Sequence, residues 1–404
     1  MRGHGEHLSV TLLFLGVISF TLGAAIRDPS ATVPLQMTEE EKKRMSSETP
    51  YPRIAMLWAS VRGDSSVASH ARHDLILTGT WWLGLEPDRK PVGLADGFTE
   101  ESVEAARRRV GELRSINPDV IVLCEICFYE YHDEWLPAAH PWWLRIDGRR
   151  EQFWPGTHRM DWYNLEYRSH IVAKTKALKE SGVDGVFYDN LRDEREPWIA
   201  FLKAVREAVG DDFLILVNAG YQCSGLDWVA PYLNGIMYES GWSHRRTEWD
   251  ECVRSMRRVE ELLRPPHISV IERFEEIRDR AGWPGDPQRG KAPKRDPAAR
   301  RWTMCYALII GDYYYAFSDN TSHHHDWYPE YDVKIGSPVA PGERISSHVW
   351  QRRYEKALVV VNLPGAAGPH TIKLRRPARD TLTGQTGTGF LVPPGEGLIL
   401  TTGD

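Results

Sequence analysis

A surplus of positive charge is missing from this 404-residue chain. Its 50 Lys and Arg against 56 Asp and Glu give a net charge of −6 with the signs interleaved. There is neither a basic stripe for a nucleic-acid backbone nor an acidic tail, so no nucleic-acid partner is expected. Long apolar runs are equally scarce: beyond the first 25 residues no stretch reaches the roughly 20 apolar residues that a bilayer span requires. Cysteine is sparse, and five is an odd number, so even in an oxidising compartment at least one thiol stays free unless it pairs between chains. No Gly-x-Gly-x-x-Gly follows the first strand-like run, which argues against a dinucleotide-binding sheet. There is also no His-Glu-x-x-His and no Ser-His-Asp arrangement. No cofactor is implied.

What is present begins with a targeting signal. Arg2 and two nearby histidines precede an apolar run, Leu8 to Leu22, and Gly23 to Ala25 offers the small residues a signal peptidase reads. The expectation is a signal peptide over 1–25, cleaved after Ala25, and a secreted or periplasmic product with no membrane attachment after cleavage. The alternative, an uncleaved anchor, needs a longer run. Residues 26–50 are polar and charged and read as a linker.

From residue 51 short apolar runs alternate with helical ones. Strands are expected at Ile54–Ser60, Asp74–Thr80, Asp119–Glu125, Gly185–Asn190, Phe213–Gly220, Gly235–Ser240, His267–Glu272 and Asp312–Phe317. Helical periodicity with stop signals falls at Glu100–Ser115, Tyr167–Ser181, Pro197–Val209, Arg246–Leu263 and Pro297–Ile310, the last with Asp296 as its cap. Strands apolar on both faces, separated by helices, make a parallel sheet covered by helices. Eight such strands predict an α/β fold, a closed (β/α)₈ TIM barrel over 51–335. From about Gly336 the helical period vanishes, and short runs broken by Gly, Pro and Asn predict a small C-terminal antiparallel β-sandwich over 336–404. Its role is either sugar binding or, better supported, packing against the barrel.

Barrel enzymes work at the C-terminal ends of their strands. The polar residues there are Ser60, Thr80, Glu125, Asp189, Asn190, Asn218, Glu239 and Glu272, followed by Asp319 and Asn320. Several carboxylates and no other catalytic constellation suit acid–base chemistry on a neutral polar substrate, as in glycoside hydrolysis, where one carboxyl protonates the leaving oxygen and a second attacks or activates water. Asp189 ends the fourth strand and Glu239 the sixth. With strands about 4.8 Å apart their backbones would stand roughly 10 Å apart across the fifth, close enough for the carboxyls to converge. A structural ion pair with Arg192 or Arg245 is the competing role for either.

The stretch Met160–Asn190, with Asp161-x-x-Asn164-x-x-x-Arg168 ahead of a helix and Gly182-Val-Asp-Gly-Val-Phe-Tyr-Asp-Asn190 after it, resembles hypothetical TIM-barrel glycoside hydrolases. It is also similar to the endo-polygalactosaminidase group. Asn218-Ala-Gly220, Tyr238-Glu-Ser240, Arg301–Phe317 and Trp327–Val339 extend the resemblance across roughly 50–404. It implies Asp189 as nucleophile or base and Glu239 as acid, a pairing that also resembles barrels of the α-galactosidase kind, and a poly- or oligosaccharide as substrate. Tyr188, where such relatives carry an aliphatic residue, is expected to point outward.

Mouth loops rich in Trp, of which the chain has 16, suggest sugar subsites built from Trp58, Trp82, Glu125, Asp161, Asn190, Asn218, Trp242, Glu272 and His324, although packing beneath a loop explains any single Trp as well. Cys124 and Cys127 form a Cys-x-x-Cys on a strand-like run, where an offset of three puts them on opposite faces and argues for two small buried residues. The run His323-His324-His325-Asp326 could suggest a metal, but consecutive histidines cannot all face one ion. Three alternatives stay open: a non-catalytic carbohydrate-binding barrel, a metal-dependent hydrolase using the His323–Asp326 loop, and a surface-interaction protein.

Overall fold

The computed structural model describes residues 51–60, 66–239, 249–274, 297–318 and 323–401. The expected signal peptide, the linker, Trp242, Asp319 and Asn320 lie outside the described residues.

Eight strands, β1 (Arg53–Leu57), β2 (Leu75–Thr78), β3 (Ile121–Glu125), β4 (Gly185–Tyr188), β5 (Leu214–Asn218), β6 (Gly235–Glu239), β7 (Val270–Phe274) and β8 (Tyr314–Ser318), pair in parallel in chain order. The sheet closes where β8 meets β1, with Arg53 opposite Tyr314 and Ile54 opposite Tyr315, which leaves no unpaired edge. Around it lie α1 (Glu100–Ile116), α2 (Leu165–Lys179), α3 (Arg195–Val209), α4 (Trp249–Glu260) and α5 (Pro297–Ile310). Local chemistry sets where helices begin: the Thr99 hydroxyl accepts from Ser102 N at 3.4 Å to cap α1, and Asn164 Oδ1 accepts from Tyr167 N at 3.1 Å to cap α2. The second strand is shorter than its sequence suggests. It stops at Thr78, and Thr80–Leu83 turn into a short helix closed by Gly84 at φ 75°.

The period of two along each strand builds the site. Leu123, Phe187, Leu216, Met237, Val270 and Ala316 form a buried layer inside the barrel. The residues two positions further along the same strands are Glu125, Asp189, Asn218, Glu239, Glu272 and Ser318. The apolar interior therefore ends in a polar ring at the C-terminal rim. The alternate residues face the helices; Tyr188, as expected, points outward, its hydroxyl 2.6 Å from Thr175 Oγ1. At the opposite end glycine is a packing requirement: a Cβ on Gly185 would stand 2.3 Å from the Leu214 carbonyl oxygen, and one on Gly235 2.6 Å from the Ile268 carbonyl carbon.

The C-terminal strands β9 (Glu343–Arg344), β10 (Val349–Arg353), β11 (Ala357–Asn362), β12 (His370–Asp380), β13 (Thr386–Val392) and β14 (Glu396–Thr401) form one antiparallel sheet in the order β9-β10-β11-β14-β12-β13. A register shift between Lys373 and Ala378 lets β12 curl so that Ile372, Phe390 and Val392 cover Val360, Leu398 and Leu400, giving the expected sandwich. The other face, with Val359, Val361 and Ile399, joins the barrel core through Trp302 and Cys305 of α5. Gly397 permits that approach, since a Cβ there would lie 2.8 Å from Cys305 Cβ. This contact favours packing as the role of the sandwich.

Candidate active site

Asn218 sits at the centre of the rim. Its single amide nitrogen donates to Asp189 Oδ1 at 2.7 Å and to Glu239 Oε1 at 2.9 Å, while its oxygen accepts from Gly220 N at 2.7 Å. The backbone of Gly220, at φ 55°, also accepts from Glu239 N at 2.8 Å, so one tight turn after β5 orients all three side chains. Asp189 receives a second amide bond, from Asn190 Nδ2 to Oδ2 at 2.7 Å, and Asn190 Oδ1 in turn accepts from Arg192 at 3.2 Å.

The opposite part of the rim is closed by the chain after β8. His325 pairs with Ser318 and, in parallel, with Ser60, which brings His323 over the end of β1. There its ring lies 4.9 Å from that of Trp58. Its Nδ1 stands 2.9 and 2.8 Å from the two oxygens of Glu272. Glu272 is fully buried and also accepts from Ser318 Oγ. The Trp58 indole nitrogen donates to Glu125 Oε2 at 2.6 Å, which ties β1 to β3. Among the described residues four non-glycine residues have left-handed backbone, and three of them are at this rim: Trp58 at φ 57°, Asn190 at 64° and His323 at 56°. Each such conformation costs on the order of 1–3 kcal/mol and persists only where its surroundings enforce it.

Burial dominates the electrostatics. It lifts the Asp189 carboxyl above the usual range, opposed by the Asn218 amide and the His323 charge. Burial also raises Glu239, with the Glu272 charge adding to it and His323 and Asn218 opposing. Glu125 is pushed up to about 7 by burial and by Asp189. Glu130, on the short strand beyond β3, is pushed up to about 8 by burial, Asp189 and Glu125. Glu272 moves the other way: burial alone would raise it, but the His323 charge and hydrogen bond hold it below the usual range. His323 is raised to about 9, burial being overcome by Glu272 first and then by Glu239 and Asp189.

The structure thus brings together Asp189, Glu239, Asn218, Asn190, Glu125, Trp58 and Glu272 of the residues named from sequence. Four of those assignments change. Trp82 is not a mouth residue: it is 2 % exposed and stacks on His70 at 4.3 Å beneath the Arg109 guanidinium, while its neighbour Trp81 is exposed. Asp161 serves the turn into α2, accepting from Tyr163 N at 3.1 Å. Glu272 has no exposed surface to offer a substrate and is bound instead to His323. In the histidine run it is His323 that joins the cluster; for His324 only the backbone, paired with Ala59, is described. Trp142, Trp143, Trp162 and Trp198 are buried, so most of the indole surplus near the third loop is packing. Cys124 is buried inside β3, whereas Cys127 lies past the strand's end and contacts Glu125 Oε1 at 3.9 Å; the opposite-face argument does not extend to it, and the two are unpaired. Cys223 and Cys252 form a disulfide between the segment after β5 and α4. Sequence reasoning missed this bond, along with Ser318 and Glu130, and weighed His323 only as part of a metal-like run. Ser318 was within reach of the same period-two argument.

The fold has solved counterparts. A noncanonic maltogenic α-amylase from Thermotoga neapolitana superposes with a TM-score of 0.51 over 87% of this chain and 98% of its own, at 10% identity. A family 27 β-L-arabinopyranosidase from Geobacillus stearothermophilus, in complex with arabinose, gives 0.52 over 87% and 97%, at 11% identity. At such identity the likeness is one of fold. No curated protein matches the chain by sequence. Residues 195–358, less than half of the chain, match the family described as hypothetical glycosyl hydrolase family 15, which bears out the resemblance to TIM-barrel glycoside hydrolases read from the sequence.

Proposed function

We propose that the protein is a glycoside hydrolase that cleaves a poly- or oligosaccharide by double displacement, with Asp189 as nucleophile and Glu239 as acid and then base. The observation that carries this reading is the shared Asn218 amide. Two bonds of 2.7 and 2.9 Å to one nitrogen hold one oxygen of each carboxyl within about 5.6 Å of the other, close enough for the pair to flank a single glycosidic bond, and we read this closeness as favouring the retaining arrangement over the wider inverting one. The assignment of roles follows from the partners. Both face the His323 charge; Asp189 adds two amide donors and Arg192 to favour its ionised form, whereas Glu239 has one amide and is opposed by the charges of Glu272 and Asp189. The first is therefore easier to keep as a nucleophilic carboxylate, the second easier to keep protonated for the leaving oxygen. Asp189 would attack the anomeric carbon while Glu239 delivers its proton. Glu239, now ionised, would then take a proton from the water that releases the sugar.

Export by the signal at 1–25 is part of the same reading. The Cys223–Cys252 bond suits an oxidising compartment, and a mature N-terminus at Ile26 in secreted material, read by intact mass, is the expected result. The activity is tested by incubating the purified protein with a panel of polysaccharides and 2,4-dinitrophenyl glycosides, with Asp189→Asn as control. Release of reducing ends by the wild type alone is expected. Glycan binding with no turnover on any member would instead favour a non-catalytic carbohydrate-binding barrel.

A further inference from the structure

We propose that Arg192, with the rings of Tyr129, Phe153 and Trp154, forms a subsite beside the catalytic pair that takes the carboxylate of a uronic acid unit in the glycan. Its part in turnover rests on the hydrolase reading; its recognition of the anion does not.

The chain leaving β4 sets the guanidinium in place. Asn190 donates through Nδ2 to Asp189 Oδ2 at 2.7 Å and accepts at Oδ1 from Arg192 Nη2 at 3.2 Å, so a single amide separates the cation from the nucleophile. Arg192 also lies 5.5 Å from the centre of the Tyr129 ring and 5.7 Å from that of Phe153, within the reach of a cation–π attraction. The two rings meet at 5.2 Å, and Phe153 continues to Trp154 at 4.8 Å. Trp154 is 41 % exposed. A tight turn holds it there: Thr157 N donates to the Trp154 carbonyl at 3.0 Å, and the Thr157 hydroxyl accepts from Trp154 N at 3.0 Å. An aromatic wall therefore runs outward from the guanidinium, of the kind that packs against the C–H faces of a sugar.

What distinguishes Arg192 is the lack of an acid. It is exposed, and among the described residues no carboxylate oxygen lies within 4 Å of it. Asp193 and Glu194, next in the chain, are committed elsewhere, to Arg195 at 2.7 Å and to Arg159 at 3.3 Å. Arg159 shares the Tyr129 ring, at 4.7 Å, and takes Glu151 as well. Of two arginines on one ring, one is thus paired with two acids and the other with none. A guanidinium oriented by an amide and two rings keeps its charge for a ligand, and its five N–H donors form a planar fork, of which Asn190 engages one nitrogen. A carboxylate matches that fork with two parallel bonds. Asn190 meets the guanidinium on its Asp189 side, so an acid group on the rest of the fork stands apart from the catalytic carboxyls, on the sugar at the cleaved bond or on its neighbour.

Isothermal titration of the full chain carrying Asp189→Asn reads the site without turnover. The probes are galacturonate and glucuronate oligosaccharides, each beside its carboxyl-reduced neutral form, with a sulfated neutral-sugar oligosaccharide as the competing anion. At least one uronate is expected to bind ~10–100-fold tighter than its neutral form at low salt, the scale of charge-assisted hydrogen bonds, and the preference should shrink as NaCl rises. Adding Arg192→Gln should abolish the preference, and Arg192→Lys should keep part of it. Trp154→Ala should weaken acidic and neutral forms alike; unchanged affinity there overturns the aromatic half of the site. No preference at the outset, a preference that survives Arg192→Gln, or an equal fall for acidic and neutral forms each overturns the proposal, the last by showing that Arg192 only steadies Asn190. Tighter binding of the sulfated probe than of either uronate overturns the carboxylate assignment. If Arg192→Gln does not fold by circular dichroism, the NaCl series and Arg192→Lys decide, and a preference that neither diminishes overturns the proposal. Neutral glycans cleaved by the wild type with no preference for acid leave the hydrolase reading and end the subsite. Binding of a uronate that depends on Arg192, with no glycan cleaved, leaves the subsite and ends the hydrolase reading.

Discussion

The two sides of the barrel mouth employ the same residue type under opposite conditions. Toward β4–β7 each carboxyl has a designated partner: Asp189 and Glu239 share Asn218, and Glu272 holds His323. Toward β3, Glu125 has an indole nitrogen and a thiol but, among the described residues, no cation in contact, and Glu130 follows on the short strand beyond; burial and the Asp189 charge lift the two to about 7 and about 8. The difference teaches that carboxylates at a strand end are sorted by their neighbours. Amide and imidazolium partners oppose the effect of burial in one set, and in the other only an indole and a thiol touch the carboxyl nearest the mouth.

That contrast would break first at the catalytic pair. Asp189→Asn and Glu239→Gln should each lower kcat at least ~10³-fold with the fold intact by circular dichroism, since each removes a charge or proton required only in the transition state. Proton NMR of the first product should show the anomeric configuration of the substrate retained. Inverted product would detach Asp189 from the nucleophile role, and full activity in either variant would shift attention to Glu125.

Asn218 comes next. Asn218→Ala removes both bridging bonds and the anchor to Gly220, so the pair loses its spacing without losing its charges. A fall in kcat of ~10²-fold is expected, the scale of a small misplacement of reacting groups. A change confined to KM would mean that Asn218 binds substrate and does not set the geometry of the pair.

The β3 side should respond in stability rather than turnover. A carboxyl raised in the folded state contributes stability that is present below its unfolded value and lost as pH rises through the folded one. For Glu125 and Glu130 the loss runs through about 7 and about 8. Glu125→Gln and Glu130→Gln should therefore melt ~1–3 °C above wild type at pH 8.5 and level with it at pH 4.5, with activity within about ten-fold. A collapse of turnover in Glu125→Gln would erase the distinction between the two sides.

Much of this arrangement was legible in the sequence because it follows from period and punctuation. Runs apolar on both faces marked all eight strands, and a period of two carried from Leu123, Phe187 and Met237 places Glu125, Asp189 and Glu239 at one level. What was not legible depends on contacts between distant segments. Trp81 and Trp82 are indistinguishable until His70 and Arg109 claim the second. Three consecutive histidines look alike until a left-handed residue at His323 turns one ring onto Glu272. The disulfide joins residues 29 apart, a separation that nothing in the local pattern singles out. Asp161 read as a polar loop residue available to a sugar, but the turn into α2 had already engaged it.

The smallest effect is expected where the sequence offers its most eye-catching motif. Cys124 and Cys127 look like a redox or metal pair, yet Cys124 is buried within β3 while Cys127 lies beyond it beside Glu125, and burial raises both thiols well above their ordinary range, so neither supplies a thiolate at neutral pH. Replacing both by Ala removes a buried sulfur and one weak contact to Glu125. The expected cost is about 1–2 kcal/mol of stability by denaturant melt, with turnover within about three-fold of wild type. A large loss of activity in a variant that still folds would show that the Cys127 contact to Glu125 matters to the chemistry, and the β3 side of the mouth would then belong to the reaction after all.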